Sequence, residues 1–353
     1  MENLKQYLTK QSLANFEDVV KIHNSTYGKQ FLKSIDIDTF FENIKIQNTF
    51  KKFINLYKMD LTKNVREKIE FNKEYLSDIL TMDAYLNKNS IIYKKFCELK
   101  QYDAYKFKYD GLFFTLHFFH NDQDIKIQNI LKRFDVLINF TKNNDRFNSL
   151  KSCLNSNQFD IFFILIDVNR QTYKRVVDNV DNELLEQKRN GLYNSSSGYT
   201  SFYLDDFIGT DNRTMVVTRI PEVNGLLTHE LGHLFGWDFE LFTKNGNANT
   251  LTGMIGIKKL TKDIINLINE LGIDNIVFSE VFDNTNTTII HTICNSIEYC
   301  LFSGNDNFYE VFKYFYEIEI LYSIYHCSKI LYWLGFNNFS DFFDKKSNIE
   351  YKQ

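Results

Sequence analysis

Residues 229–233 read His-Glu-Leu-Gly-His, a spacing that can carry metal-assisted hydrolysis. On an α-helix, His229 and His233 lie one turn apart and project from the same face. Two imidazoles so arranged can bind one Zn²⁺, and Glu230, one step round the helix, can reach a water on that metal. Zinc would bring the pKa of the water toward neutrality and polarise a carbonyl. Glu230 would take the water's proton as the oxygen attacks and hand it to the leaving amine, so no Ser or Cys nucleophile is required. The plain alternative is a buried amphipathic helix whose histidines are merely hydrogen-bonded.

The neighbouring residues are suited to holding such a helix in place. Asn224-Gly225-Leu226-Leu227-Thr228 leads in, read as a glycine-containing turn followed by apolar positions. Leu226, Leu227, Leu231 and Leu234 recur at helical spacing and can face the core while the histidines face a cleft. Gly232, between the ligands, lets another backbone come close. Gly236, three residues after His233, can end the helix in a left-handed conformation and turn the chain back toward the metal.

Composition narrows the classes. With 44% hydrophobic and 16% aromatic residues in 353, the chain can bury a substantial core in one large domain or two. The net charge of −4 is spread along the chain, without the basic footprint of a nucleic-acid binder. Five cysteines (97, 153, 294, 300 and 327) are scattered with no CxxC pair, which points to reduced thiols and a cytoplasmic or other reducing compartment. The first residues show no apolar signal-peptide core. The most apolar late stretch, 308–335, is interrupted by Glu310, Lys313, Glu317, Glu319 and Lys329, so no membrane span is expected. A single proline (Pro221), amid abundant Lys, Asn, Ile, Phe and Tyr, fits an A+T-rich coding sequence such as a parasite's or a large DNA virus's, acting in a host.

Periodicity predicts an α+β protein. Residues 1–104 read as a helical N-terminal region, with apolar spacing of three and four over 4–20, 39–57 and 75–98. A β-rich run follows at Tyr109–Phe119, then a helix at about 123–141 and a buried strand at 159–166. Residues 170–189 are polar and helical in pattern. Gly198–Leu204 alternates as a half-exposed edge strand does, and 214–220 is a further strand leading into the His-Glu helix. A Gly/Asn/Thr-rich loop (243–256), a helix at 261–271 and a helical C-terminal region, 273–353, complete the chain.

The order strand, helix, strands, then a histidine-bearing helix resembles the metzincin zinc peptidases over residues 105–272. The family extends HExxH with a glycine three residues on, as Gly236 is here. Its Met-turn, which sets a methionine beneath the metal, resembles Thr252-Gly-Met254-Ile-Gly256. Residues 260–272 look like the helix that closes the matrixin catalytic domain. The resemblance implies a metzincin-like zincin core and a zinc-dependent endopeptidase, with His229 and His233 as ligands and Glu230 as base. It also implies a protein or peptide substrate held extended along 198–204, backbone against backbone. Residues 255–260 would line the pocket that follows the cut. A tyrosine that some members place two positions after the methionine is Gly256 here.

The departure lies at the third ligand. The family puts His or Asp three residues after the glycine, and this chain has Phe239 there. Catalytic zinc ordinarily takes three protein ligands. Asp238, one residue early, is the first choice, since a small change in the turn after Gly236 would swing its short carboxylate inward; Glu240 is one late. Glu280, in Ser279-Glu-Val-Phe282, is the rival, because gluzincins draw their third ligand from a glutamate on a downstream helix. If all three fail, the same frame is a catalytically inactive binding or structural protein. His117, His120, His291 and His326 read as ordinary strand and helix residues.

Overall fold

The computed structural model describes residues 10–35, 39, 42, 44–59, 67–68, 91–121, 124–141, 158–167, 198–200, 213–218, 220, 223–235 and 278–333. These form eight helices: α1 (Lys10–Asn24), α2 (Thr26–Ser34), α3 (Ile44–Lys58), α4 (Ile91–Glu98), α5 (Asp124–Thr141), α6 (Val223–Leu234), α7 (Phe278–Ser303) and α8 (Phe308–Trp333). The strands are β1 (Glu67–Lys68), β2 (Gln101–Tyr109), β3 (Leu112–His120), β4 (Gln158–Ile164), β5 (Gly198–Thr200) and β6 (Arg213–Thr218). The α+β class is therefore correct. The expected helix at 170–189, the loop at 243–256, the Met-turn and the helix at 261–271 lie outside the described residues.

By internal contacts the chain forms two compact units, one made of Met1–Asn55 with Trp237–Gln353 and the other of Leu56–Gly236. The second unit holds a six-stranded mixed sheet in the order β1-β2-β3-β4-β6-β5. Strands β3, β4 and β6 run parallel, while β2 and β5 are antiparallel to their neighbours. Helix α4 covers one face, where Ile92, Phe96 and Leu99 pack with Phe119, Phe162, Ile164 and Val216. The other face carries Phe114, which meets Phe134 of α5 edge-on at 5.6 Å and Phe235, just past α6, at 6.4 Å. Strand β3 is buried on both sides, as parallel central strands are, which explains its nearly unbroken apolar run.

Two features differ from the sequence expectation. The helical reading of 1–104 fails at its end, because Gln101–Tyr109 is a strand, and the β-rich run at 109–119 is the second arm of a hairpin. Tyr109 pairs with Leu112, so Asp110-Gly111 is a two-residue turn. Asp110 has φ 48° and Gly111 φ 82°, the paired positive values of the type I′ turn that suits strand twist. A Cβ on Gly111 would meet nothing within 4 Å, so a larger residue there costs only backbone strain, about 1 kcal/mol. Strand β2 also alternates polar residues onto both faces (Gln101, Asp103; Lys106, Lys108), which hides it from an apolar-run criterion.

In the first unit, α1 packs on α8, and α7 packs antiparallel to α8 across a four-residue turn in which Gly304 takes φ 68°. Among the described residues no helix is long and apolar enough to cross a membrane. Cys97, Cys294, Cys300 and Cys327 are not disulfide-bonded.

The hairpin also predicts an alkaline weak point. Tyr109 donates to Asn139 Oδ1 at 2.8 Å. Burial, and then the charges of Asp110 and Asp135, push its pKa up to about 12. The folded state thus keeps a proton that an unfolded phenol, with pKa near 10, gives up more easily. This contribution is complete below pH about 10 and is lost as pH rises toward 12. Urea midpoints measured across that range should fall for the native chain and fall less steeply for Tyr109→Phe; equal slopes would refute the assignment.

Candidate metal centre

Helix α6 begins five residues after β6 ends, and starts earlier than the sequence suggested. Asn224 and Gly225 lie in its first turn, not in a preceding loop, because Val223, 5% exposed, already belongs to the core. Leu227, Leu231 and Leu234 are fully buried as expected. Leu226 is only half-buried, since it precedes His229 by three residues and so shares the histidine side of the helix. Each of the fully buried leucines stabilises the helix position by about 1.5–3 kcal/mol. The helix packs on β6, β5 and α5, and Phe235 extends its hydrogen bonding to the Leu231 carbonyl at 2.9 Å. Thr228, buried beside the first histidine, donates its hydroxyl to the Asn224 carbonyl at 3.0 Å.

On the opposite side, the Nε2 atoms of His229 and His233 lie 3.2 Å apart. Their rings stand at 89° to each other with centroids 4.7 Å apart. With Zn–N bonds of about 2.05 Å, that separation subtends roughly 100° at a shared ion, close to the tetrahedral angle. The same separation is that of a hydrogen bond between the two rings. His233 is 7% and Glu230 5% exposed, so both sit where water is scarce and an electrostatic interaction is strong. Glu230 lies 100° round the helix from His229, between the histidine stripe and Val223.

The candidate third ligands divide. Asp238 and Glu240 lie outside the described residues, as do Gly236, Phe239 and Met254. Glu280 stands in the first turn of α7. Among the described residues, no group of three His, Cys, Asp or Glu side chains comes together.

The other histidines are engaged in ways the sequence did not reveal. His117 is 1% exposed and links three strands: its Nε2 meets Asp160 Oδ1 at 2.9 Å and its Nδ1 meets the Tyr102 hydroxyl at 2.8 Å. Its two ring nitrogens thus bridge a carboxylate and a phenol, with the donor and acceptor roles set by the ring's tautomer. Burial and the carboxylates Asp160 and Asp103 raise the pKa of Tyr102, keeping it a donor. His120 bonds Asp103 at 3.1 Å, His291 accepts from Asn295 at 2.9 Å, and His326 packs against Tyr322. The strand register was the missing signal. Ala104 faces His117 across β2–β3, which brings Tyr102 and Asp160 to one side of the sheet with it.

These two histidine clusters separate in a metal-retention assay. His229→Ala or His233→Ala should abolish retention of stoichiometric zinc through gel filtration, measured by mass spectrometry of the metal. His117→Phe should leave zinc unchanged while lowering stability by about 1–3 kcal/mol, because Asp160 and Tyr102 lose a buried partner. Comparison of the chain with protein-family models, with curated proteins and with solved structures returns no match.

Proposed function

We propose that this chain is a zinc-dependent endopeptidase with a metzincin-like core. The observation that carries the reading is the 3.2 Å approach of the His229 and His233 Nε2 atoms on one helix turn, beside the buried carboxylate of Glu230. When bound, zinc supplies a Lewis acid that polarises a carbonyl and acidifies water. His229 and His233 hold the ion through Nε2, and the buried leucines behind them keep the two rings in register. Glu230 accepts a proton at its carboxylate and returns it to the departing amine nitrogen. Its position one residue from a ligand fixes that carboxylate to the helix and spares the entropy of recruiting it from a loop.

Further support comes from the surroundings. The helix follows the last parallel strand after a short connection, and β5 (Gly198–Thr200) is one of the two sheet edges among the described residues, antiparallel to β6. An extended peptide along 198–204 would add a strand there, gaining affinity from backbone hydrogen bonds with little side-chain selectivity. Phe239, where the family carries a ligand, favours a second reading: an inactive binding or structural protein that keeps the frame without the metal.

Two measurements test the proposal. Glu230→Gln should keep its zinc and lose cleavage of an unstructured protein substrate by about 10²–10⁴-fold. Undiminished cleavage in that variant removes Glu230 from the chemistry, and absence of zinc from the native protein favours the scaffold. Asp238→Ala should lower zinc occupancy while Glu280→Ala leaves it unchanged. The reverse result would move the protein to the gluzincin arrangement.

A further inference from the structure

The first helices and the last two helices are more than 200 residues apart in sequence and share one compact unit. Their contacts are specific. His23, at the end of α1, meets Glu317 of α8 with Nε2 and Oε2 2.7 Å apart, and the two side chains are 14% and 15% exposed. The Tyr314 ring stands edge-on to His23 at 5.1 Å. One and a half turns earlier on α1, Asp18 Oδ2 accepts from the Tyr325 hydroxyl at 3.1 Å. Val19, between these polar contacts, is completely buried. Phe50 of α3 packs on Phe312 of α8 with ring centroids 5.2 Å apart, both buried.

From these contacts we infer that residues 10–55 are a built-in strap that completes the core of the C-terminal helices, and not a segment whose removal activates the protein. Here removal would strip Phe312 of an aromatic neighbour and leave Glu317 without its imidazole partner. Phe312, Ile318 and Leu321 form the buried stripe of α8. A cut beyond α3 therefore leaves the strap bound, held by packing instead of the peptide chain. This inference is independent of the metal reading, since it involves none of the residues near His229.

The experiment inserts a protease recognition sequence between residues 60 and 66 of the full chain and cleaves it under native conditions. Both fragments should elute together in gel filtration with the helical circular dichroism unchanged. Separation of the N-terminal fragment, with cooperative melting kept by the remainder, would overturn the inference. In the cleaved chain, Val19→Asp combined with Phe50→Ala should release the fragment at least tenfold faster; undiminished retention would show that other contacts hold it and would also overturn it. Hydrogen exchange on the unmodified chain gives a test without any variant. Amides of α1 and α8 should share one opening rate, whereas exchange of α1 a hundredfold faster than α8 contradicts a common unit.

Discussion

The candidate centre depends on one constraint: two imidazole nitrogens are held 3.2 Å apart by the pitch of a single helical turn. Histidines on a flexible loop would sample many separations, and an ion would have to gather them at a cost in entropy. On α6 that ordering is supplied by folding. Val223, Leu227, Leu231 and Leu234 bury the far side of the same helix, so the free energy that fixes the rings comes from the core beneath them. The rings are thus arranged before any ligand arrives, the condition under which binding energy is kept for the ligand.

The core has its own logic, and it is aromatic. Across the parallel β3–β4 pair, Phe114 stacks on Phe159 (4.9 Å), Phe118 on Phe163 (4.6 Å) and His117 on Phe162 (4.5 Å), all within 17° of parallel. Such pairs contribute about 0.5–1.5 kcal/mol each beyond their buried area. They also fix register, because a one-residue slip would turn every ring to the opposite face. His117 stacks in the same way on the opposite face of the sheet, and its polar edge has a partner at both nitrogens. A buried polar group with all its partners stiffens the sheet; missing either partner, it would weaken it. The ladder and its network therefore set the position of β6, from which α6 departs.

Much of this was legible in the chain because the elements that matter most follow strict periods. Helix α5 and strand β4 fall close to where the spacing of Ile, Leu and Phe puts them, since both are buried and their patterns are uninterrupted. The His-Glu helix was found from three residues at fixed spacing. What escaped notice is equally physical. Strand β2 alternates Lys, Asp and Gln with aromatics on both faces and follows α4 after two residues, so the sequence shows no break in the helical pattern there. Asp110-Gly111 is a strong hairpin signal, but it carries weight only when both flanks are recognised as strands. The Tyr102–His117–Asp160 network joins residues 15 and 43 positions apart, a relation that exists only once the register is known. The sharing of one unit by the N-terminal and C-terminal helices is likewise invisible to a local pattern, because His23 and Glu317 are 294 residues apart.

Glu230 gives the sharpest reason to assign chemistry to α6 instead of packing alone. Glu230 is 5% exposed on a helix that also buries Leu227, Leu231 and Leu234. Burying a carboxylate costs several kcal/mol that a leucine or methionine of similar size would not incur. Hydrocarbon at this position would avoid that cost, whereas the two facing histidines lie within hydrogen-bond distance of each other. Local departures of this kind, a polar residue where stability favours an apolar one, are concentrated where proteins bind and react. On this turn Glu230 and His233 are two such residues, and both are of types that the proposed zinc chemistry would use.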